Sequence, residues 1–250
     1  MSSRTTVFIH GLFITPSCWE NWLDYFEARG HSCTALAWPG RNRSVEDLRA
    51  HPDPELGNLT LVQVVEHCAK YVESLDDKPI LIGHSLGGLI VQLLLQRNLA
   101  VAGVAIDSAP PQTVFTVRWS FLRSNWPMLN PFISKFRPHR MLFEHFQYTF
   151  VNTLPLNEQR AAYDRYVVPE SRQVLQQLVT NAEIDFDNEH PPLLLIAGAE
   201  DHIIPAALNE TNFERYKASP SITTFREFPG RVHFIIGQQG WQEVADYTLG

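Results

Sequence analysis

The chain has 250 residues, enough for one α/β domain with an insertion or for two small domains. Its apolar share of 44% and charged share of 19% are those of an ordinary soluble globular protein. A formal charge of -7 argues against nucleic acid as a partner, and no apolar run reaches the length of a membrane span. Cys18, Cys33 and Cys68 are widely spaced, with no CxxC pair or Cys/His cluster, so no metal is expected. "MSSRTTVFIHG" lacks the apolar core of a signal peptide, and with three unpaired thiols a cytoplasmic location is the expectation.

Strand-like and helix-like segments alternate through the first hundred residues. "TTVFIHG" reads as a strand ending at Gly11, and "PSCWENWLDYFEARG" as a helix stopped by Gly30. "HSCTALAWPG" is a second strand. "LTLVQVVEHCAKYVESL" is a helix with Leu61, Val64, Val65, Cys68 and Val72 on one face and Thr60 as its N-cap. "KPILIGHS" is apolar without alternation, as in a parallel strand covered on both faces. "GGLIVQLLLQRN" is a helix apolar nearly all round, hence buried, and "VAGVAIDSAP" is a fourth strand. This βαβ rhythm predicts a doubly wound, mostly parallel sheet of about six strands.

From Pro111 to Asp187 the rhythm breaks. Aromatic residues crowd the segment, and Pro127, Pro131, Pro138, Pro155 and Pro169 cut it into short helices. The sheet pattern resumes with "PPLLLIAGAED", a helix near "ALNETNFERYKA", a strand "ITTFREFPG" and a last helix from Gly240. Residues 1–110 and 188–250 are therefore expected to form one core. Residues 111–187 form a helical cap over the strands' C-terminal ends, where open α/β sheets bind ligands.

Gly83-His84-Ser85-Leu86-Gly87 fits G-x-S-x-G between an apolar strand and an apolar helix, the setting that lifts a serine hydroxyl out of a strained turn. A nucleophilic serine needs a base, and His233 in "EFPGRVHF" follows the last strand at the required edge of the sheet. His84 should point away from the cleft, and His10 should orient backbone. The base needs an acid. Asp201 in "GAEDHIIP" follows the penultimate strand, with Glu200 and Asp107 as alternatives. The oxyanion donors expected are the backbone N–H groups of Leu86 and Leu12, with Phe13 as the alternative to Leu12.

"FIHGLF", "GHSLGG", "GAEDHIIP" and "VHF", in that order and each after a strand, resemble the α/β-hydrolase fold superfamily of serine esterase type. The resemblance covers the chain apart from the cap. The compact N-terminal part with "EARGHSCTALAWPG" is similar to the plant methylesterase and hydroxynitrile lyase branch. Lyases of that branch have threonine after the first histidine and lysine after the catalytic one. Gly11 and Phe234 stand at those positions, so hydrolysis is what the resemblance implies.

The expected function is a serine carboxylesterase or lactonase that cleaves a small or medium, largely apolar ester or lactone without a cofactor. Ser85, His233 and Asp201 would form the triad, and Phe13, Trp119, Phe121, Trp126, Phe143 and Phe146 the pocket. Arg118, Arg123, Lys135, Arg137 and Arg140 lie in a stretch without acids, either to meet an anionic group or as solvated helix faces. A C–C bond hydrolase or cofactor-free oxygenase, and a slow-turnover ligand receptor, are the alternative readings of the same scaffold.

Overall fold

The apolar runs pair into a single sheet in a computed structural model, which describes residues 4–130 and 132–250. The strands are β1 (Arg4–Ile9), β2 (His31–Leu36), β3 (Ile80–His84), β4 (Ala102–Ile106), β5 (Leu193–Gly198) and β6 (Thr223–Phe228). All neighbours are parallel, in the order β2-β1-β3-β4-β5-β6. β3 and β4 are buried at all but their first residues, whereas the edge strands β2 and β6 alternate between covered and exposed positions. Central strands lose both faces to helices, which is why their sequences read as unbroken apolar runs.

The helices of the first half are α1 (Glu20–Glu27), α2 (Val45–Ala50), α3 (Leu61–Glu73) and α4 (Leu86–Gln96). Thr60 caps α3 as expected, and Gln63 returns the bond, so two N–H groups at the helix start are satisfied together. Every residue of α4 from Leu86 to Leu95 is buried, which accounts for its apolar circumference. Gly30 ends the α1 turn at φ +88°, a left-handed angle that glycine reaches without strain. Phe8 of β1 packs against Trp19 and against Trp22 and Phe26 of α1, and the Trp22 indole N–H donates to the Ile236 carbonyl at 2.8 Å. This ties the last segment of the chain to the first helix.

Between β4 and β5 the chain forms α5 (Trp119–Leu129), α6 (Phe143–Thr149), α7 (Leu156–Tyr166), α8 (Arg172–Gln176) and α9 (Leu178–Asn181). The only strand-like pairing among its described residues is a bridge between His139 and Glu170. After β5 come α10 (Ala206–Arg215) and, following β6, α11 (Gln242–Leu249). Helix α2 and the short 3₁₀ turn Pro54–Asn58 had no clear signature in the sequence. The side chains of Ser44 and Asp53 start them by accepting the N–H of Asp47 and Glu55. No helix among the described residues is long and apolar enough to cross a membrane. The three cysteines are free.

Strand order reverses between β1 and β3: the chain leaves β1 toward β2 on one side and leaves β3 toward β4 on the other. Such a switch point opens a crevice at the carboxyl ends of the two strands. "HGLF" follows β1 directly, and "GHSLGG" carries the chain from the end of β3 through Ser85 into α4.

Candidate active site

Ser85 sits between β3 and α4 at φ 57°, ψ −119°, a conformation that a non-glycine residue keeps only when its surroundings impose it. The surroundings are backbone. A Cβ on Gly83 would strike the Gly87 carbonyl, and one on Gly87 would strike that of Ile9. A Cβ on Gly11 would lie 2.7 Å from the Ser85 Cβ. The glycines therefore let β1, the turn and α4 meet at main-chain distance. The Ser85 N–H donates to Ile106 O, and Ser85 O accepts from the Ala109 N–H, both at 2.9 Å, so the turn is also tied to β4.

The loop after β1 comes within reach of this serine. Leu12 and Leu86 line the same cavity as Ser85, and neither N–H donates to another described residue. Phe13, the alternative donor, is occupied: its N–H donates to Glu170 Oε2 at 3.2 Å, and its carbonyl accepts from the Val168 N–H at 2.8 Å. Phe13 is held left-handed at φ 68° by this double clamp. Glu170 is fully buried, 2.6 Å from Arg41 Nη2, and also accepts the Ser171 N–H. His10 stacks on Trp38 and donates from Nδ1 to the Gly11 carbonyl at 2.8 Å, as expected of a backbone-orienting residue. Burial lowers its pKa to about 3, so the ring is neutral.

Asp201 and His233 are brought together: Asp201 Oδ2 lies 2.6 Å from His233 Nδ1, both side chains being fully buried. Asp201 Oδ1 accepts the N–H groups of Ile203 and Ile204 at 2.7 and 2.9 Å, which fixes the carboxylate in one orientation. The other histidine nitrogen, Nε2, makes no hydrogen bond, and none joins it to Ser85 Oγ. Bonds of this kind are often loose without substrate. Phe150 stands edge-on to the His233 ring at 4.8 Å and also lines the cavity beside Ser85.

Two further buried groups lie close to His233: His84, expected to point away from the cleft, and Asp107, the alternative acid. His84 donates from Nε2 to the His233 carbonyl at 2.7 Å, with burial holding its pKa well below the usual value. Asp107, at the end of β4, is fully buried and accepts the Gly198 N–H at 2.7 Å. Burial, then the charge of Asp201, push its carboxyl well above the usual range. Ligand atoms of His84, Asp107 and His233 lie within 4.8 Å of one another. Glu200 is exposed.

The cavity measures about 180 Å³ and is almost wholly apolar. Phe13 and Phe121 line it, with Met128, Met141, Leu175 and Leu178. The other four aromatic residues expected there lie elsewhere. Trp119 and Trp126 point to solvent, Phe143 packs on Tyr163, and Phe146 is stacked on Phe150 inside the core. Ser124 and Asn125 also reach the cavity wall, but the Ser124 hydroxyl donates to the His202 carbonyl and the Asn125 amide to that of Phe121. A separate cavity of about 190 Å³, beside Arg41 and Leu56, does not touch Ser85.

Removing one partner of the buried Arg41–Glu170 pair strands the other. Glu170→Ala should cost about 3–5 kcal/mol in urea denaturation. The His10 imidazole predicts a pH effect. The unfolded chain binds a proton below the ordinary value of 6.5, which the folded protein refuses down to about 3. Stability is therefore complete above that window and falls as the pH drops through it, by up to about 1.4 kcal/mol per pH unit. His10→Asn keeps a donor near the Nδ1 position and should flatten this acid limb by one proton's share, read from denaturation curves across that range.

The family model described as "Alpha/beta hydrolase family" matches residues 6–247. No curated protein matches the chain in sequence. Among solved structures, polyneuridine aldehyde esterase is similar at 16% identity and a TM-score of 0.69, over 99% of this chain and 98% of that one. An extracellular α/β-hydrolase from a Paenibacillus species, described as sharing structural and functional homology with tobacco salicylic acid binding protein 2, is similar at 22% identity and TM-score 0.70, over 98% of both chains. A monoacylglycerol lipase from Paleococcus ferrophilus is similar at 20% and 0.68, over 98% and 92%. The order of elements, the serine turn and the family match over nearly the whole length agree: the chain belongs to the alpha/beta hydrolase family.

Proposed function

We propose that this protein is a serine hydrolase that cleaves a small or medium, largely apolar carboxylic ester or lactone. The observation that carries the reading is the buried Asp201–His233 pair packed against Phe150, which lines an apolar cavity whose wall includes Ser85. The esterase and lipase neighbours support the same chemistry, and a cavity of about 180 Å³ suits a small acyl or alcohol group.

In this reading Ser85 Oγ attacks the substrate carbonyl while His233 Nε2 takes its proton. Asp201 accepts the Nδ1–H, fixing the tautomer and stabilising the imidazolium that forms. The carbonyl oxygen becomes an oxyanion facing the N–H groups of Leu12 and Leu86. Collapse breaks the ester C–O bond, and the leaving alkoxide receives the proton from His233. A water molecule then gives a proton to His233 and attacks the acyl-enzyme, and the acid leaves as Ser85 recovers its proton. Residues 111–187 act as the cap that shapes the pocket, through Phe121 and Met128 on α5. The alternative that needs a polar cap group poised on the substrate gains little support, since the Ser124 hydroxyl and Asn125 amide donate to backbone carbonyls.

Three variants test the assignment with p-nitrophenyl esters of short acids. Ser85→Ala should lower kcat by about four to six decades with an unchanged urea midpoint. Asp201→Asn should lower it by about four decades, because the amide favours the wrong tautomer. Asp107→Asn should remain active, since Asp107 accepts the Gly198 N–H while His233 Nδ1 is taken by Asp201. An active Asp201→Asn enzyme beside an inactive Asp107→Asn enzyme would move the acid to the end of β4.

A further inference from the structure

Helix α5 turns an apolar face outward. Phe121, Ser124, Asn125 and Met128 recur at helical spacing and face the cavity. The other side carries Trp119, Leu122, Trp126 and Leu129, again at helical spacing, and all four are exposed, Trp119 by 73% and Trp126 by 57%. A surface helix ordinarily buries such a stripe. Phe115 and Val117, just before the helix, are exposed as well. Phe115 and Leu129 belong both to this surface and to the cavity wall, so the exposed apolar patch runs into the mouth of the cavity.

Exposed cations accompany the patch along the chain. Arg118 and Arg123 are exposed on the same stretch, followed by exposed Lys135, Arg137 and Arg140. No acidic residue occurs between Asp107 and Glu144, on a chain whose formal charge is -7. Exposed aromatic side chains interleaved with arginines suit a bilayer interface: tryptophan settles at headgroup level, and arginine is drawn to anionic lipid. A two-fold contact between copies of the chain would instead set cations against cations.

We propose that this face of α5 docks on an anionic lipid bilayer, with Trp119 and Trp126 at headgroup depth and Arg118 and Arg123 over the lipid phosphates. The cavity mouth at Phe115 and Leu129 then opens toward the lipid, and an apolar molecule dissolved there reaches the cavity without crossing bulk water. The docking goes beyond the ester hydrolase reading and is measured without turnover, so either can fail alone.

The test is co-sedimentation of the full chain with vesicles of phosphatidylcholine alone and of phosphatidylcholine mixed with phosphatidylglycerol. The protein should sediment with the mixed vesicles, less so as salt is added. Its tryptophan emission should shift to the blue on binding, because Trp119 and Trp126 are exposed while Trp19, Trp22 and Trp38 are already buried. Trp119→Ser with Trp126→Ser should weaken binding by roughly tenfold or more. Arg118→Glu with Arg123→Glu should abolish the preference for anionic vesicles. Both double variants should keep the wild-type urea midpoint and the rate on a soluble short ester. Wild-type protein that stays in the supernatant with both vesicle types would overturn the proposal, as would binding indifferent to the tryptophan exchange. A wild-type dimer in analytical ultracentrifugation that the tryptophan variant splits would assign the face to a second copy instead.

Discussion

Everything at the candidate site depends on how closely the backbone turns after β1 and β3 approach each other. Gly11, Gly83 and Gly87 leave no room for a Cβ where the end of β1, the Ser85 turn and the start of α4 meet. That contact puts Leu12 and Leu86 on the wall of one cavity and holds Ser85 at a positive φ. A side chain at any of the three glycines would push apart segments whose spacing creates the site. The strain at Ser85 is held by a buried sheet and by α4, every residue of which is buried from Leu86 to Leu95.

A second constraint comes from outside the sheet. The β4–β5 insertion grips Phe13 by its N–H and its carbonyl, through Glu170 and Val168. Glu170 is itself held by Arg41 and by the backbone pairing of its own N–H and carbonyl with His139. Burying this carboxylate and this guanidinium carries a desolvation penalty that their pairing must offset. The pair links the loop after β2, the loop after β1 and the insertion at one point beside the cavity. A polar arrangement of this kind favours one geometry of the loop over its neighbours, which a purely apolar contact would specify less sharply.

The core of the fold was legible because its physics is local. β3 and β4 are covered on both faces, so their apolar runs identify them without knowledge of their partners, and Thr60 and Gly30 mark helix ends by chemistry that acts within a few residues. Ser85, His233 and Asp201 were legible as positions after strands, and the last two meet in a hydrogen bond. The pocket was not. Aromatic character marks a residue as apolar, yet residue type says nothing about which way a helix faces. On α5 two complementary stripes have the same period, and the more apolar one faces out. Met128, Met141, Leu175 and Leu178 line the cavity because of how five short helices pack, a non-local outcome. The supporting roles of His84, Asp107 and Glu170 likewise join residues 149, 91 and 157 positions from their partners, which no local pattern reveals.

Covalent capture of the nucleophile tests the central claim most directly. The purified chain is treated with a fluorophosphonate, whose phosphorus traps an activated serine, and the modified peptide is identified by mass spectrometry. The account predicts one adduct, on the peptide carrying Ser85, absent from Ser85→Ala and much slower to form in Asp201→Asn. An enzyme that hydrolyses esters yet carries its label on another residue, or takes up none while activity persists, would contradict it.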